Sequence, residues 1–329
     1  MGNKPLVSMI TYCYNGERFV TKYFESILAQ TYPNIELIFF NNGSSDATGE
    51  IAEKYKKLLE QKGINVNLIH YQENQSTCLL KQKAFQMMNG EYFFGCDSDD
   101  LMDPDYIYEM ESFLEQNPDK GIVYCQLRMV QEETSKVLGI MKMKPRVSSK
   151  EAFKDILRGE NINFTALSYM MSRKHFEAVN PEKRIYISSY GENYQIQMPF
   201  LFHDLQGYIE KPLGQYTVRK DSYTGTLTIL KKIKALKGQE QSVLATLEQI
   251  GMTEMEEYKT FFLKRIRKER FYCSLHYNDK SIAQECLKEY KESGSISIRD
   301  LFAWTLYRMG LFNSVVKLKN KIRNKDGQL

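Results

Sequence analysis

The 329-residue chain lacks most of the features that assign a protein quickly. It has no apolar run approaching the roughly 18 residues of a membrane-spanning helix, and its first residues hold no stretch apolar enough for a secretory leader. It has little net charge: 45 basic against 41 acidic residues leave +4, too small a balance for a nucleic-acid partner. Its six cysteines, Cys13, Cys78, Cys96, Cys125, Cys273 and Cys286, show no Cys-x-x-Cys spacing. That favours free thiols in a reducing, cytoplasmic compartment over a zinc site or a disulfide framework. His70, His175, His203 and His276 are not spaced to share a metal and read as surface or core residues. No Gly-x-Gly-x-x-Gly follows the first apolar run, which excludes a dinucleotide-binding turn. Repeats and low-complexity segments are absent as well. What remains is an ordinary globular composition, 42% apolar and 26% charged, long enough for two units.

Against that background one stretch stands out. Asp97-Ser98-Asp99-Asp100 follows directly on the apolar run Tyr92-Phe93-Phe94-Gly95-Cys96. Three carboxylates in one turn repel one another unless something neutralises them, and a hard divalent cation held by oxygen ligands is the usual remedy. A calcium loop of the EF-hand kind is excluded, because Leu101 and Met102 stand where an oxygen ligand and a glycine are needed. An aspartyl phosphatase would have Gly-Thr where this chain has Asp100-Leu101. Hydrophobic spacing predicts strands over residues 6–11, 35–40, 66–71 and 92–96, alternating with helices over 19–28, 51–59 and 79–88. Such alternation implies βαβ units, a mostly parallel sheet and helices on both faces. Ligands of these sheets bind at the carboxyl ends of the strands. The polar residues sit there: Thr11, Tyr12 and Asn15 after the first strand, residues 41–44 after the second, and 97–100 after the fourth. Together they favour a nucleotide site.

In the same order and spacing, the motifs resemble those of a known family. Ser8-Met9-Ile10-Thr11-Tyr12 with Asn15 is followed by Ser26-Ile27-Leu28-Ala29-Gln30-Thr31-Tyr32-Pro33-Asn34-Ile35-Glu36. Asn42-Gly43-Ser44-Ser45-Asp46 and Gly90-Glu91-Tyr92 through Asp100 complete a series that resembles family 2 glycosyltransferases of GT-A fold over roughly residues 5–220. The resemblance implies an α/β fold: a Rossmann-like mixed, mostly parallel sheet flanked by helices in residues 1–226, with a C-terminal helical appendage in 227–329. It implies an inverting, metal-dependent hexosyltransferase-type enzyme. Such an enzyme moves a sugar from a nucleoside-diphosphate sugar, with UDP-sugars weakly favoured, to a glycan or lipid-linked acceptor in bacterial surface-polysaccharide assembly.

Carried onto this sequence, the family's site puts Mg²⁺ or Mn²⁺ on Asp97 and Asp99, where it offsets charge on the diphosphate leaving group. Asp100 is expected to cap the helix near Pro104. Thr11, Tyr12, Asn15, Glu17, Asn41, Asp97 and Ser98 would line the nucleotide-sugar pocket, with Lys81 and Arg219 near the phosphates. Asn41 stands where the family has an aspartate, and Lys81 where it often has an arginine. Lys81 also reads as a solvated helix lysine beside Lys83. At Gly191-Glu192-Asn193-Tyr194-Gln195 the family's catalytic aspartate is replaced by Asn193, which leaves Glu192 as the candidate general base. Glu192 equally suits a helix start, where an acid complements the dipole. Tyr223 stands where relatives often have a histidine.

Beyond residue 227 helical periodicity takes over, in residues 229–250, 254–275, 281–290 and 298–309. Leu311, Phe312, Val315, Val316, Leu318 and Ile322 then interleave with Lys317, Lys319, Lys321, Arg323 and Lys325. That pattern suits either a peripheral contact with the inner face of the cell membrane or a basic helix with its apolar stripe on the core. Asn41, Asn193 and Tyr223 also keep a second reading open, a catalytically impaired GT-A-fold subunit that binds nucleotide sugar or serves as a scaffold.

Overall fold

The computed structural model describes residues 4–146, 148–162, 165–188, 190–219, 228–251, 255–277, 279–294 and 296–318. The chain divides into two compact units, residues 1–222 and 223–329.

In the first unit, β1 (Val7–Cys13) and β2 (Ile35–Asn42) are apolar runs buried along almost their whole length, as strands covered on both faces must be. Between them α1 (Val20–Leu28) buries Val20, Tyr23, Phe24 and Ile27, a stripe at helical spacing. The helix α2 (Thr48–Gln61) stops where Gly63 takes a φ of +88°, a turn that a residue with a Cβ resists. The chain continues through β3 (Asn65–Tyr71), α3 (Thr77–Met87) and β4 (Tyr92–Gly95). β1 pairs in parallel with β2 and β4, and β2 with β3. The order β3-β2-β1-β4 means that the chain builds outward on one side of β1 and then returns to its other side. Crossovers leave β1 and β4 in opposite directions, so a crevice opens at their carboxyl ends.

The rest of the unit contains β5 (Leu101–Met102), α4 (Tyr106–Gln116), β6 (Ile122–Gln131), β7 (Val137–Met141), α5 (Ser149–Arg158), β8 (Tyr169–Ser172), α6 (Arg173–Val179), α7 (Glu192–Phe202) and β9 (Gln206–Val218). β8 lies antiparallel to both β4 and β6, and β9 runs parallel to β6. β7 and β5 complete the mixed sheet as antiparallel partners of β6 and β9. Parallel pairing thus dominates the first half, and antiparallel pairing enters with β8. Asp100 does not cap α4, which begins at Tyr106 with no side-chain cap bond. It lies too far back along the chain and is turned inward, where its Oδ1 accepts a hydrogen bond of 2.9 Å from the Thr217 N–H and ties β9 to the acidic turn.

The approach to β4 depends on a buried carboxylate. Glu36 on β2, fully buried, accepts from the Asn89 and Gly90 N–H groups at 2.6 and 3.2 Å and from the Ser8 hydroxyl. The Gly90 N–H also donates to Ser8 Oγ at 2.8 Å. A buried charge is tolerated only with such a set of donors. A Cβ at Gly90 would fall 2.5 Å from the Ser8 backbone nitrogen, which is why this position has no side chain.

The second unit is helical: α8 (Ile229–Ile250), α9 (Met255–Leu275), α10 (Lys280–Glu292) and α11 (Ile298–Arg308), with residues 312–318 also helical. Ile233, Phe271, Leu275, Ala283, Leu287, Tyr290, Ala303 and Phe312 form its core. Two polar clusters are built into it. Arg270, 2% exposed, bridges Glu240 at 2.7 Å and Glu289 at 2.6 Å. Asp300 closes a capping box with Ser297 and accepts from Tyr272 and Tyr290, each at 2.8 Å. Among the described residues no helix is long and apolar enough to cross a membrane. Of the basic segment singled out in the sequence, residues 319–325 lie outside the described part.

Candidate active site

At the carboxyl ends of β1 and β4 the structure opens a cavity of about 120 Å³. Tyr12 reaches it from β1, Lys81 from α3, Asp97 from the turn after β4 and Tyr169 from β8. Gly191, with a φ of +90°, turns the chain into α7, whose first residues Glu192 and Asn193 supply the opposite wall. The cavity is therefore built from five separate segments at the strand-order reversal, the place the topology designates for a ligand.

Its polar groups form one set. Lys81 Nζ donates to Asn193 Oδ1 at 2.8 Å and lies 3.9 Å from Glu192 Oε1. The Tyr169 hydroxyl donates to the same Asn193 oxygen at 3.4 Å. The surrounding protein and the Asp99 charge push the Asp97 carboxyl up to about 6; Glu192 adds to the rise, and Lys81 and Arg219 oppose it. The Asp97 side chain is nonetheless open to solvent, so water screens these charges in part. Burial, then the Glu192 charge, holds the Tyr12 phenol well above its usual range, which keeps it a neutral donor.

Beside the cavity, Asp99 pairs with Arg219 at 2.7 Å, and the guanidinium lies 4.9 Å from the Phe19 ring centroid. Asp97 and Asp99 are hard oxygen donors of the kind that hold Mg²⁺ or Mn²⁺ together with phosphate oxygens. No cluster of three or more metal-ligating side chains exists among the described residues. Two such carboxylates fit a cation whose remaining ligands come from a diphosphate and water.

Five residues expected in the nucleotide pocket make hydrogen bonds within the framework. Thr11, fully buried, bonds the Tyr23 hydroxyl behind the sheet. Asn15 and Glu17 lace the loop after β1 to the loop after β2: Asn15 Oδ1 accepts from the Ser45 N–H at 2.9 Å, and Glu17 Oε2 from the Ala47 N–H at 3.0 Å. The lacing is returned by Ser44 Oγ, Asp46 and Thr48, which accept from the Asn15, Glu17 and Gly16 N–H groups. Asn41, 6% exposed, donates to His70 Nδ1 at 2.9 Å, and its own oxygen accepts from the Ser44 N–H. Ser98, also 6% exposed, is turned toward the Cys13 thiol. Of the expected residues, Tyr12, Lys81, Asp97 and Glu192 share the cavity, while Asp99 and Arg219 form the neighbouring ion pair. Tyr223 lies outside the described residues. Sequence reasoning missed Tyr169 and the ring of Phe19 under Arg219; neither carries a local signal, since each is one aromatic among many.

Comparison with known proteins agrees with this architecture. The family model for Glycosyl transferase family 2 matches residues 8–179. EpsH of Bacillus subtilis strain 168, named as a glycosyltransferase, is 35% identical over 134 residues, 41% of this chain and 37% of that protein. TuaG of the same strain, named for teichuronic acid biosynthesis, is 31% identical over 111 residues, 34% of this chain and 42% of that protein. The chain thus spans less than half the length of these curated relatives. Among solved structures, residues 1–349 of S. aureus TarS in complex with UDP-GlcNAc align with a TM-score of 0.57 at 15% identity, over 93% of this chain and 92% of that one. The mannosyltransferase PcManGT of Pyrobaculum calidifontis, in complex with GDP-Man and Mn²⁺, aligns at 0.54 and 14%, over 94% and 84%. At these identities the likeness establishes the GT-A fold alone. With its family model covering more than half the sequence and its strand order carrying the expected crevice, the chain belongs to glycosyltransferase family 2.

Proposed function

We propose that residues 1–226 form an inverting glycosyltransferase domain that moves a sugar from a nucleoside-diphosphate sugar to an acceptor hydroxyl, and that residues 227–329 form a helical appendage to it. The observation that carries this reading is the meeting of the Glu192 carboxylate and Asp97 in one cavity at the ends of β1 and β4. Glu192 takes the proton of the acceptor hydroxyl as that oxygen attacks the anomeric carbon, and the bond to the diphosphate breaks on the opposite face. Asn193 cannot accept a proton, so its role is to fix Lys81 beside Glu192. A bound Mg²⁺ or Mn²⁺ would neutralise charge on the departing diphosphate, with Asp97 and Asp99 as its protein ligands. Arg219, paired with Asp99, places a second cation next to that position.

The relatives' names favour a bacterial polysaccharide as acceptor, and UDP-sugars are the first donors to test. A peripheral membrane contact is supported by exposed apolar residues on the C-terminal helices: Phe302, Met309 and Leu318 are each at least 60% exposed, beside Arg308 and Lys317. The presence of Asn193 in place of a carboxylate favours the second reading, a nucleotide-sugar-binding subunit without turnover.

One pair of measurements separates the two readings. Nucleoside-diphosphate sugars are screened by thermal shift with and without Mg²⁺ or Mn²⁺, and transfer is then assayed for the wild type and Glu192→Gln. A ligand bound to the native state alone raises its stability by about 2.7 kcal/mol at a hundredfold excess over Kd. Catalysis through Glu192 requires transfer to be abolished in the variant while donor affinity stays within a few-fold of wild type. Donor binding without transfer in the wild type would establish the non-catalytic subunit, and full transfer by Glu192→Gln would remove Glu192 as the base.

A further inference from the structure

The helical unit has a second cavity, larger than the first at about 450 Å³, between α10 and α11. Lys280 and Gln284, one turn apart on α10, face Trp304, Tyr307 and Arg308, one turn of α11. Trp304 is the only tryptophan in the chain. Its ring stacks on Tyr307 at a centroid distance of 5.5 Å and an interplanar angle of 24°, and sits 6.4 Å from the core ring of Phe271. Tyr307 is fixed in turn by its hydroxyl, which donates to the Tyr277 carbonyl at 3.3 Å. The groove therefore has a rigid aromatic floor anchored in the core.

Its polar rim is uncommitted. Several basic side chains of this unit are paired: Lys237 with Glu285, Arg265 with Glu269, Arg267 and Arg270 with Glu240, and Lys268 with Asp300. Lys280, Gln284 and Arg308 have no hydrogen-bond or ion-pair partner among the described residues. Two cations and an amide around a flat aromatic surface define a ligand with three properties. It has negative charge for the rim, hydroxyls for the amide and a flat C–H face for the rings. The basic tail with Lys319, Lys321, Arg323 and Lys325 carries the wrong sign to fill the groove itself.

We propose that this groove binds an anionic saccharide segment of the acceptor. Its assignment to the acceptor rests on the transferase reading above; the binding itself does not. A second site on the same chain raises the local concentration of a polymer at the catalytic unit without any new contact there.

Because Trp304 is the single tryptophan, fluorescence excited selectively from tryptophan and not from the 22 tyrosines reports on this groove. The probes are tetragalacturonate (an anionic saccharide), maltotetraose (a neutral one) and inorganic tripolyphosphate (charge without sugar). The expected result is a saturable change with tetragalacturonate, at least roughly tenfold weaker in the exposed-residue double variant Lys280→Glu/Arg308→Glu, since each lost contact of about 1.4 kcal/mol is a factor of ten. Maltotetraose and tripolyphosphate are expected to bind at least tenfold more weakly than tetragalacturonate. No response to tetragalacturonate, equal affinity for either control probe, or an unweakened double variant would overturn the proposal. Donor turnover is measured separately on the same double variant. Transfer is also measured on the wild type: its absence there would sink the transferase reading and leave the fluorescence result standing, and transfer without a fluorescence response would sink the groove and leave the transferase reading standing.

Discussion

Replacing Lys81 with methionine tests the central piece of site geometry. The side chain is 12% exposed, and methionine keeps most of its volume while removing the ammonium. Two interactions disappear: the 2.8 Å bond to Asn193 Oδ1 and the 3.9 Å approach to Glu192. A hydrogen bond from a charged donor contributes about 1.5–3 kcal/mol net. The ion pair is worth about 4 kcal/mol of gross attraction at an effective dielectric near 20. Glu192 is 22% exposed, however, so solvent screening removes much of that figure. A net loss of about 2–3 kcal/mol follows, or a fall in transfer rate of roughly 30- to 150-fold. Because both contacts run to α7 and neither to the nucleotide, nucleoside-diphosphate affinity is expected to stay within about fivefold, so that the loss shows in kcat through a displaced Glu192. Steady-state transfer at saturating donor, with nucleotide affinity from calorimetry, measures the two quantities on one preparation. An unchanged rate combined with a tenfold or greater loss of nucleotide affinity would refute this reasoning. It would return Lys81 to the phosphate contact that its place in the sequence suggests.

Two further predictions concern the framework. Gly90→Ala places a methyl group 2.5 Å from the Ser8 backbone nitrogen of β1, and overpacking of this kind costs about 1–3 kcal/mol. Its denaturation midpoint should drop clearly below that of Gly139→Ala, which meets nothing within 4 Å, and equal midpoints would refute the close approach. Burial alone would raise the Asp300 carboxyl, but the hydroxyls of Ser297, Tyr272 and Tyr290 reverse this and hold it well below the usual range. A depressed folded pKa gives stability that is complete above the unfolded value of about 3.9 and is lost as pH falls below it. Thermal melts of the wild type should therefore weaken steeply below about pH 4, and those of Asp300→Asn should be flatter there and lower at neutral pH, where the charged hydrogen bonds are missing. Parallel pH profiles for the two proteins would count against this role for Asp300.

The uneven legibility of the chain has a physical cause. β1, β2 and β4 could be read to within two residues because strands buried in a parallel sheet are continuous apolar runs, and α1 between them carries a 3.6-residue stripe. β9 could not. It contains Pro212 and two glycines, and it stays paired to β6 only through register shifts around Gln126. Carboxylate crowding at 97–100 was visible because all its members are neighbours in sequence. The fates of Thr11, Asn15, Glu17 and Asn41 were hidden, since each is decided by a partner 12 to 30 residues away or by a backbone amide that no side-chain pattern reveals. Polar residues after a parallel strand face two competing demands, to meet a ligand and to lock the loop that presents it. In this chain the loops after β1 and β2 spend their side chains on each other. Cavity chemistry falls instead to residues from β1, α3, the acidic turn, β8 and α7 that no local motif unites. Asn193 shows the same effect in reverse. In sequence it is a missing carboxylate, yet in space its oxygen receives both Lys81 and Tyr169 and so holds a cation against the neighbouring Glu192.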